Sequence, residues 1–82
     1  MFLSTLPPKN NDYVDHGLVF GECTSHYPCY DDAMIDLESN AYCEDSNVSA
    51  VVNIKISITC DSSGDVNEWT VIVYGNAIRY YN

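Results

Sequence analysis

Residues Ser49 to Ile58 set the terms for any fold this chain can adopt. Val52, Ile54, Ile56 and Ile58 stand at every second position, and the residues between them, Asn53, Lys55 and Ser57, are polar. Side chains of a strand point alternately to its two faces, so this segment reads as a ribbon with one apolar face that something must cover. The candidate cover lies just upstream. Between Asp31 and Asp45, Met34, Leu37 and Ala41 follow Tyr30 at spacings of four, three and four, with Ala33 beside them, which gives a narrow apolar stripe of helical period. The Asp31-Asp32 pair offers an N-cap and negative charge at the positive end of the helix dipole. Glu38, Asn40 and Glu44 face away, and the helix is expected to stop near Ser46-Asn47, where Asn takes the left-handed conformation.

The other elements follow from breakers and alternation. A short strand, Phe2 to Thr5, ends at the loop Pro7-Pro8-Lys9-Asn10-Asn11-Asp12. A second strand runs from Tyr13 to Cys23 with a bulge. Val14, His16, Leu18 and Phe20 are expected on one face, with Gly17 and Gly21 on the other, where missing side chains let another backbone approach. Thr24 to Cys29 is a loop. After the helix, a strand from Ala50 to Thr59 enters the turn residues Asp61-Ser62-Ser63-Gly64-Asp65 and pairs with a last strand from Glu68 to about Arg79. Residues 1–82 thus read as a single two-layer α+β domain in the order β-β-α-β-β, one helix packed on a mainly antiparallel four-stranded sheet. The last strand is apolar on both sides: Trp69, Val71, Val73 and Ala77 on one, Ile72, Tyr74, Ile78 and Tyr80 on the other. One helix covers one face, so the second set implies either a partner subunit or a sheet folded back on itself, and in a chain this short an interface with further copies is the more economical expectation.

Twelve acidic residues against Lys9, Lys55 and Arg79 give a formal charge of -9. Such a potential repels phosphate backbones and argues against nucleic-acid binding, while it suits a cation or a basic protein partner. No run approaches the roughly 20 apolar residues of a membrane span, and Met1 to Leu6 lacks the basic start and length of a signal peptide. The expectation is a cytoplasmic protein without membrane contact, in which thiols stay reduced.

Cys23, His26 and Cys29 stand three residues apart in the loop before the helix, with thiolate and imidazole ligands of the kind a soft divalent metal ion selects. Cys23 and Cys60 each end a strand, so neighbouring strands with matching ends would bring them within disulfide reach. Cys29 and Cys43 would be held some 20 Å apart by the helix between them. His16, on an apolar strand face, reads first as a satisfied core residue. No nucleophile with a paired base, no phosphate loop and no catalytic carboxylate pair stands out, so the chain is not expected to be an enzyme.

Three fragments together resemble one family. Gly17-Leu18-Val19-Phe20-Gly21-Glu22, Asn47-Val48-Ser49-Ala50-Val51-Val52-Asn53-Ile54 and Val73-Tyr74-Gly75-Asn76-Ala77-Ile78 are similar, in order, to the glycine- and alanine-marked strand motifs of the YbjQ-like family, labelled for heavy-metal binding. Asn47 and Asn53 stand where that family usually has glycine. The resemblance implies a small α+β domain that assembles into rings, commonly pentamers, with no enzymatic activity assigned. The RcsF envelope stress sensor resembles the same fold and carries four cysteines in two disulfides, but Met1 to Leu6 does not read as a lipoprotein leader, so the sensor role is not expected here.

Two functional expectations result. The first is a non-enzymatic homo-oligomeric binding module that holds a metal ion or small ligand between subunits. The alternative is a small acidic inhibitor or decoy, of the type phages direct against host defences, that binds a basic protein partner. An enzyme using Cys23 or His16 comes last.

Overall fold

The computed structural model describes residues 1–64 and 66–81. The chain runs β1 (Phe2–Leu3), β2 (Tyr13–Ser25), α1 (Tyr30–Glu44), β3 (Ala50–Ser63) and β4 (Val66–Tyr80), the expected β-β-α-β-β order. The four strands form one sheet in the order β1-β3-β4-β2. β4 is antiparallel to both neighbours, while β1 runs parallel to β3 through Phe2 opposite Ala50 and Leu3 opposite Val51. The sheet is therefore mainly antiparallel, as expected, with one short parallel pair at the β1 edge that makes it mixed. The reason is topological. The helix returns the chain to the same end of the sheet at which β1 starts, so β3 leaves that end in β1's direction.

α1 lies on one face. Ala33, Leu37 and Ala41 are fully buried against Val19, Val51, Ile54, Val71, Val73 and Ala77, with Met34 packed at the margin. Burial of a side chain such as Leu37 is worth about 1.5–3 kcal/mol, and this small set forms the main core. Small residues on the buried stripe bring the helix close. Gly21 has no room for a β-carbon, which would fall on the Ala33 carbonyl oxygen and the Leu37 backbone.

Both helix ends differ from the expected caps. Cys29 takes the N-cap position without a side-chain capping bond, and Asp31 and Asp32 sit in the first turn, where they still face the positive dipole end. At the other end Asp45, not Asn47, terminates the helix. It is extended (φ -158°, ψ 122°), and its carboxylate accepts the Asn47 N–H at 2.8 Å while its carbonyl accepts the Val48 N–H at 3.1 Å.

Two bulges reorganise the faces. In β2 the register shifts between Asp15 and Leu18, around Gly17 at φ +89°, so the expected shared face of Val14, His16, Leu18 and Phe20 is split. Val14 and His16 fall on the helix side, Leu18 and Phe20 on the far side. In β3 the register shifts between Val52 and Lys55, and Asn53 adopts φ +56°, the left-handed region that Asn tolerates better than other side chains. The alternation that reads as continuous from Val52 to Ile58 is therefore broken at Asn53. Val52 belongs to the far side, with Ala50 and Ile78, and Ile54 belongs to the helix-side core. Gly75 lies beneath this bulge, where a β-carbon would stand 2.7 Å from the Val52 carbonyl oxygen.

The far side is closed at one end by the chain itself. Leu6 O accepts the Asn53 N–H, Lys9 N–H donates to the Tyr80 hydroxyl at 3.0 Å, and Asp12 O accepts the Tyr81 N–H. The segment between β1 and β2 thus crosses the sheet over Tyr80, with the Lys9 ammonium 4.8 Å from its ring centre. Tyr13 and Tyr80 meet edge to face and pack on Ala50, Val52 and Ile78. Among the described residues no helix is long and apolar enough to cross a membrane.

Candidate functional site

The head of α1 gathers the chemistry. Cys23 lies two residues before the end of β2, on the helix side and opposite Val71, and Cys29 is the residue from which the helix starts. The two form a disulfide, with Cα atoms 6.0 Å apart. Cys29 is buried, Cys23 half-buried, and Asp32 in the first helical turn brings Oδ2 to 3.9 Å from the Cys23 sulfur. All three ligand atoms lie within 4.8 Å of one another.

This arrangement corrects two expectations. Cys23 does not reach Cys60, because β4 runs between β2 and β3. Cys23 faces Val71 on one side of β4, and Cys60 faces Trp69 on the other. Two strand spacings, about 10 Å, exceed disulfide reach. Cys43 and Cys60 are free and exposed. Nor does His26 join Cys23 and Cys29. Its Nδ1 points across to the Asn67 carbonyl oxygen of β4, 3.3 Å away, and Asp32 takes the third place beside the sulfurs. The Asp31-Asp32 pair reads in sequence as a cap. Its second position is also one helical step from Cys29, which was the available signal.

A second polar cluster sits at the opposite end. His16 Nε2 lies 3.0 Å from Asp45 Oδ2, close but not aligned as a hydrogen bond, and Arg79 Nη1 lies 3.4 Å from the same oxygen. The Asn47 backbone N–H holds the Asp45 carboxyl below its usual 3.8 and outweighs the opposing effect of burial, while the neighbouring Arg79 guanidinium and His16 imidazole add smaller effects in the same direction as Asn47. The cluster ties the helix end to the bulge of β2 and the end of β4. His16 thus neighbours the Asp45 carboxylate at the core margin, without a nucleophile beside it among the described residues.

The third feature is a surface. β1 and the residues after it pair with β3 only as far as Ile54, so the outer edge of β3 from Lys55 onward has no partner strand among the described residues. Ile56 and Ile58, opposite Val73 and Val71, share the helix-side face but lie outside the helix's cover and are 50% and 41% exposed. On the far side Leu18 and Phe20 are more than half exposed beside half-buried Ile72 and Tyr74, and the Phe20 and Tyr74 rings are 6.0 Å apart. Of the four expected interface residues, Ile72 and Tyr74 face this open part. Ile78 is buried and Tyr80 half-buried within the chain, where they need no second copy.

A crystal structure of a protein of unknown function from Pediococcus pentosaceus ATCC 25745, which belongs to the DUF74 family, superposes with a TM-score of 0.84 over 99% of this chain and 98% of that one. The two share one fold. Their sequences are 16% identical, so the likeness extends to architecture and no further. No family model and no curated protein matches the sequence.

Proposed function

We propose that the chain is a YbjQ-like, non-enzymatic binding module that works as an assembly of identical copies, joined along the open edge of β3, with ligand pockets between subunits. The observation that carries this reading is the unpaired edge from Lys55 to Ser62, with Ile56 and Ile58 exposed beside it. Free backbone donors and acceptors along an edge are a template for another strand, and proteins that stay monomeric usually block such an edge with charge, proline or a cover. Here charge stands only near the two ends of that edge, at Lys55 and Asp61, and the stretch from Ile56 to Cys60 carries none. A strand added by a second copy would satisfy those groups and bury both isoleucines at once.

Family membership is supported by where the shared motif residues lie. Gly17 sits at positive φ in a bulge, Gly21 under the helix backbone, and Gly75 under the bulge of β3. Asn53, at a family glycine position, is itself at positive φ. Each of these four positions has a backbone reason for glycine or asparagine, whereas Asn47 is not at positive φ.

Light scattering and native mass spectrometry test the assembly. The protein is expected to be oligomeric, and the Ile56→Lys, Ile58→Lys double variant to become monomeric with its helical circular dichroism unchanged. A strictly monomeric native protein would sink the reading.

The distribution of charge favours a second one. Arg79 is paired with Asp45 and Lys9 lies over Tyr80, both at one end of the sheet, and Lys55 stands in mid-sheet opposite Tyr74, while Glu22, Asp31, Asp32, Asp36, Asp61 and Glu68 stand toward the other end. That half suits a basic protein partner, as an acidic inhibitor or decoy requires. Association with such a partner is expected to weaken steeply with salt, and salt-insensitive binding would count against it.

A further inference from the structure

Among the described residues, the head of α1 is where thiol and carboxylate ligand atoms converge. We propose that, once the Cys23–Cys29 disulfide is reduced, Cys23, Cys29 and Asp32 form a site for a soft divalent cation of the zinc type. Disulfide and metal site are then alternative states of one pair of sulfurs. The inference stands apart from the assembly reading, since all three ligands come from one chain.

The chemistry balances simply. A dithiol reductant delivers two electrons and two protons to the sulfur pair, the S–S bond breaks, and the reductant is oxidised to its own disulfide. The incoming cation then displaces both thiol protons to solvent. Tetrahedral coordination at about 2.3 Å per sulfur sets the two sulfurs roughly 3.8 Å apart and a carboxylate oxygen roughly 3.6 Å from each. Asp32 Oδ2 is already 3.9 Å from the Cys23 sulfur, and a backbone separation of 6.0 Å lets the sulfurs part by side-chain rotation alone. Asp32 is exposed, so water can complete the fourth position.

Two further features favour the ionised ligands and the softer metals. Cys29 lies at the positive end of a 15-residue helix, which stabilises a thiolate. A thiolate pair selects zinc-like ions over magnesium or calcium. Asp31, one residue away in the same turn, adds attraction for a cation without being needed as a ligand.

The test uses full-length protein carrying Cys43→Ser and Cys60→Ser, so that the exposed thiols do not bind metal themselves. Cd2+ is titrated into reduced and oxidised samples, with thiolate-to-metal charge-transfer absorbance and native mass spectrometry as readouts. The reduced protein is expected to take one ion per chain with thiolate absorbance, and the oxidised protein none. Asp32→Asn should weaken binding by about tenfold or more, given that even second-layer partners are worth about 10- to 100-fold, while His26→Ala should leave it unchanged. Alkylating Cys23 and Cys29 in the reduced protein should abolish uptake, which checks the ligands without relying on a cysteine variant that folds. Equal uptake by the oxidised form, uptake that survives alkylation, or no uptake by folded reduced protein would overturn the proposal.

Discussion

The α-carbon of Leu37 lies 2.8 Å from the point that a β-carbon on Gly21 would occupy. Helix and sheet touch there backbone to backbone, so the depth at which α1 sits on β2 is set by one missing methyl group. Gly21→Ala is expected to lift the helix or distort the strand at a cost of about 1–3 kcal/mol or more, seen as a lower urea midpoint. Gly17→Ala is a useful contrast. Its β-carbon would meet open space, but φ is +89°, so the expected loss of about 1–2 kcal/mol is one of backbone strain alone.

Removal of single cysteines should separate the bridged pair from the free one. Cys29→Ser opens a short loop between β2 and α1 and is expected to cost about 2 kcal/mol in the chain-entropy account, whereas Cys60→Ser, on an exposed position of β3, should leave the urea midpoint nearly unchanged. Intact-mass measurement after thiol alkylation checks the same point, since the native protein should accept label at Cys43 and Cys60 only. Label at Cys23 or Cys29 in unreduced protein would contradict the pairing.

Much of this architecture is readable from residue order, and the misreadings share one cause. The stripe of Ala33, Leu37 and Ala41 gives the helix, and alternation gives β3 and β4, because those periods are local. A bulge is local too, yet it inverts the face of everything beyond it. Without the bulge at Asn53, Val52 joins the wrong side, and without the shift at Gly17, His16 stays with Leu18 and Phe20. Strand order is not local at all. The choice of Cys60 as partner for Cys23 assumes that β2 and β3 are neighbours, and β4 between them removes that option. The turn residue Asp65 lies outside the described residues.

Acid should act on the Asp45 cluster with a definite sign. The native carboxyl is held below 3.8, chiefly by the Asn47 N–H and then by Arg79 and His16, so its ionised form is favoured in the folded state. Its contribution is complete above the unfolded value of 3.8 and is lost as pH falls through the lower native value. Asp45→Asn should therefore flatten part of the decline in melting temperature on the acid side of that value, with the two proteins converging at the lowest pH. An unchanged acid profile in the variant would show that the carboxylate does not hold the helix end.

Tyr80 decides how much of the far side the chain covers by itself. Its ring packs with Tyr13 on Ala50, Val52 and Ile78, and its hydroxyl accepts the Lys9 N–H, so one side chain both fills the second cluster and fastens the crossing segment. Tyr80→Phe keeps the first role and removes the second. The expected cost is about 1 kcal/mol, with faster hydrogen exchange at the Lys9 and Asn53 amides. Tyr80→Ala removes both, so Val52 and Ile78 lose their cover and the loss should reach about 3 kcal/mol or more. If copies of the chain instead sealed this end of the sheet, the Tyr80→Phe variant would exchange like the native protein and the alanine variant would change oligomeric state. The intramolecular contacts predict the opposite on both counts.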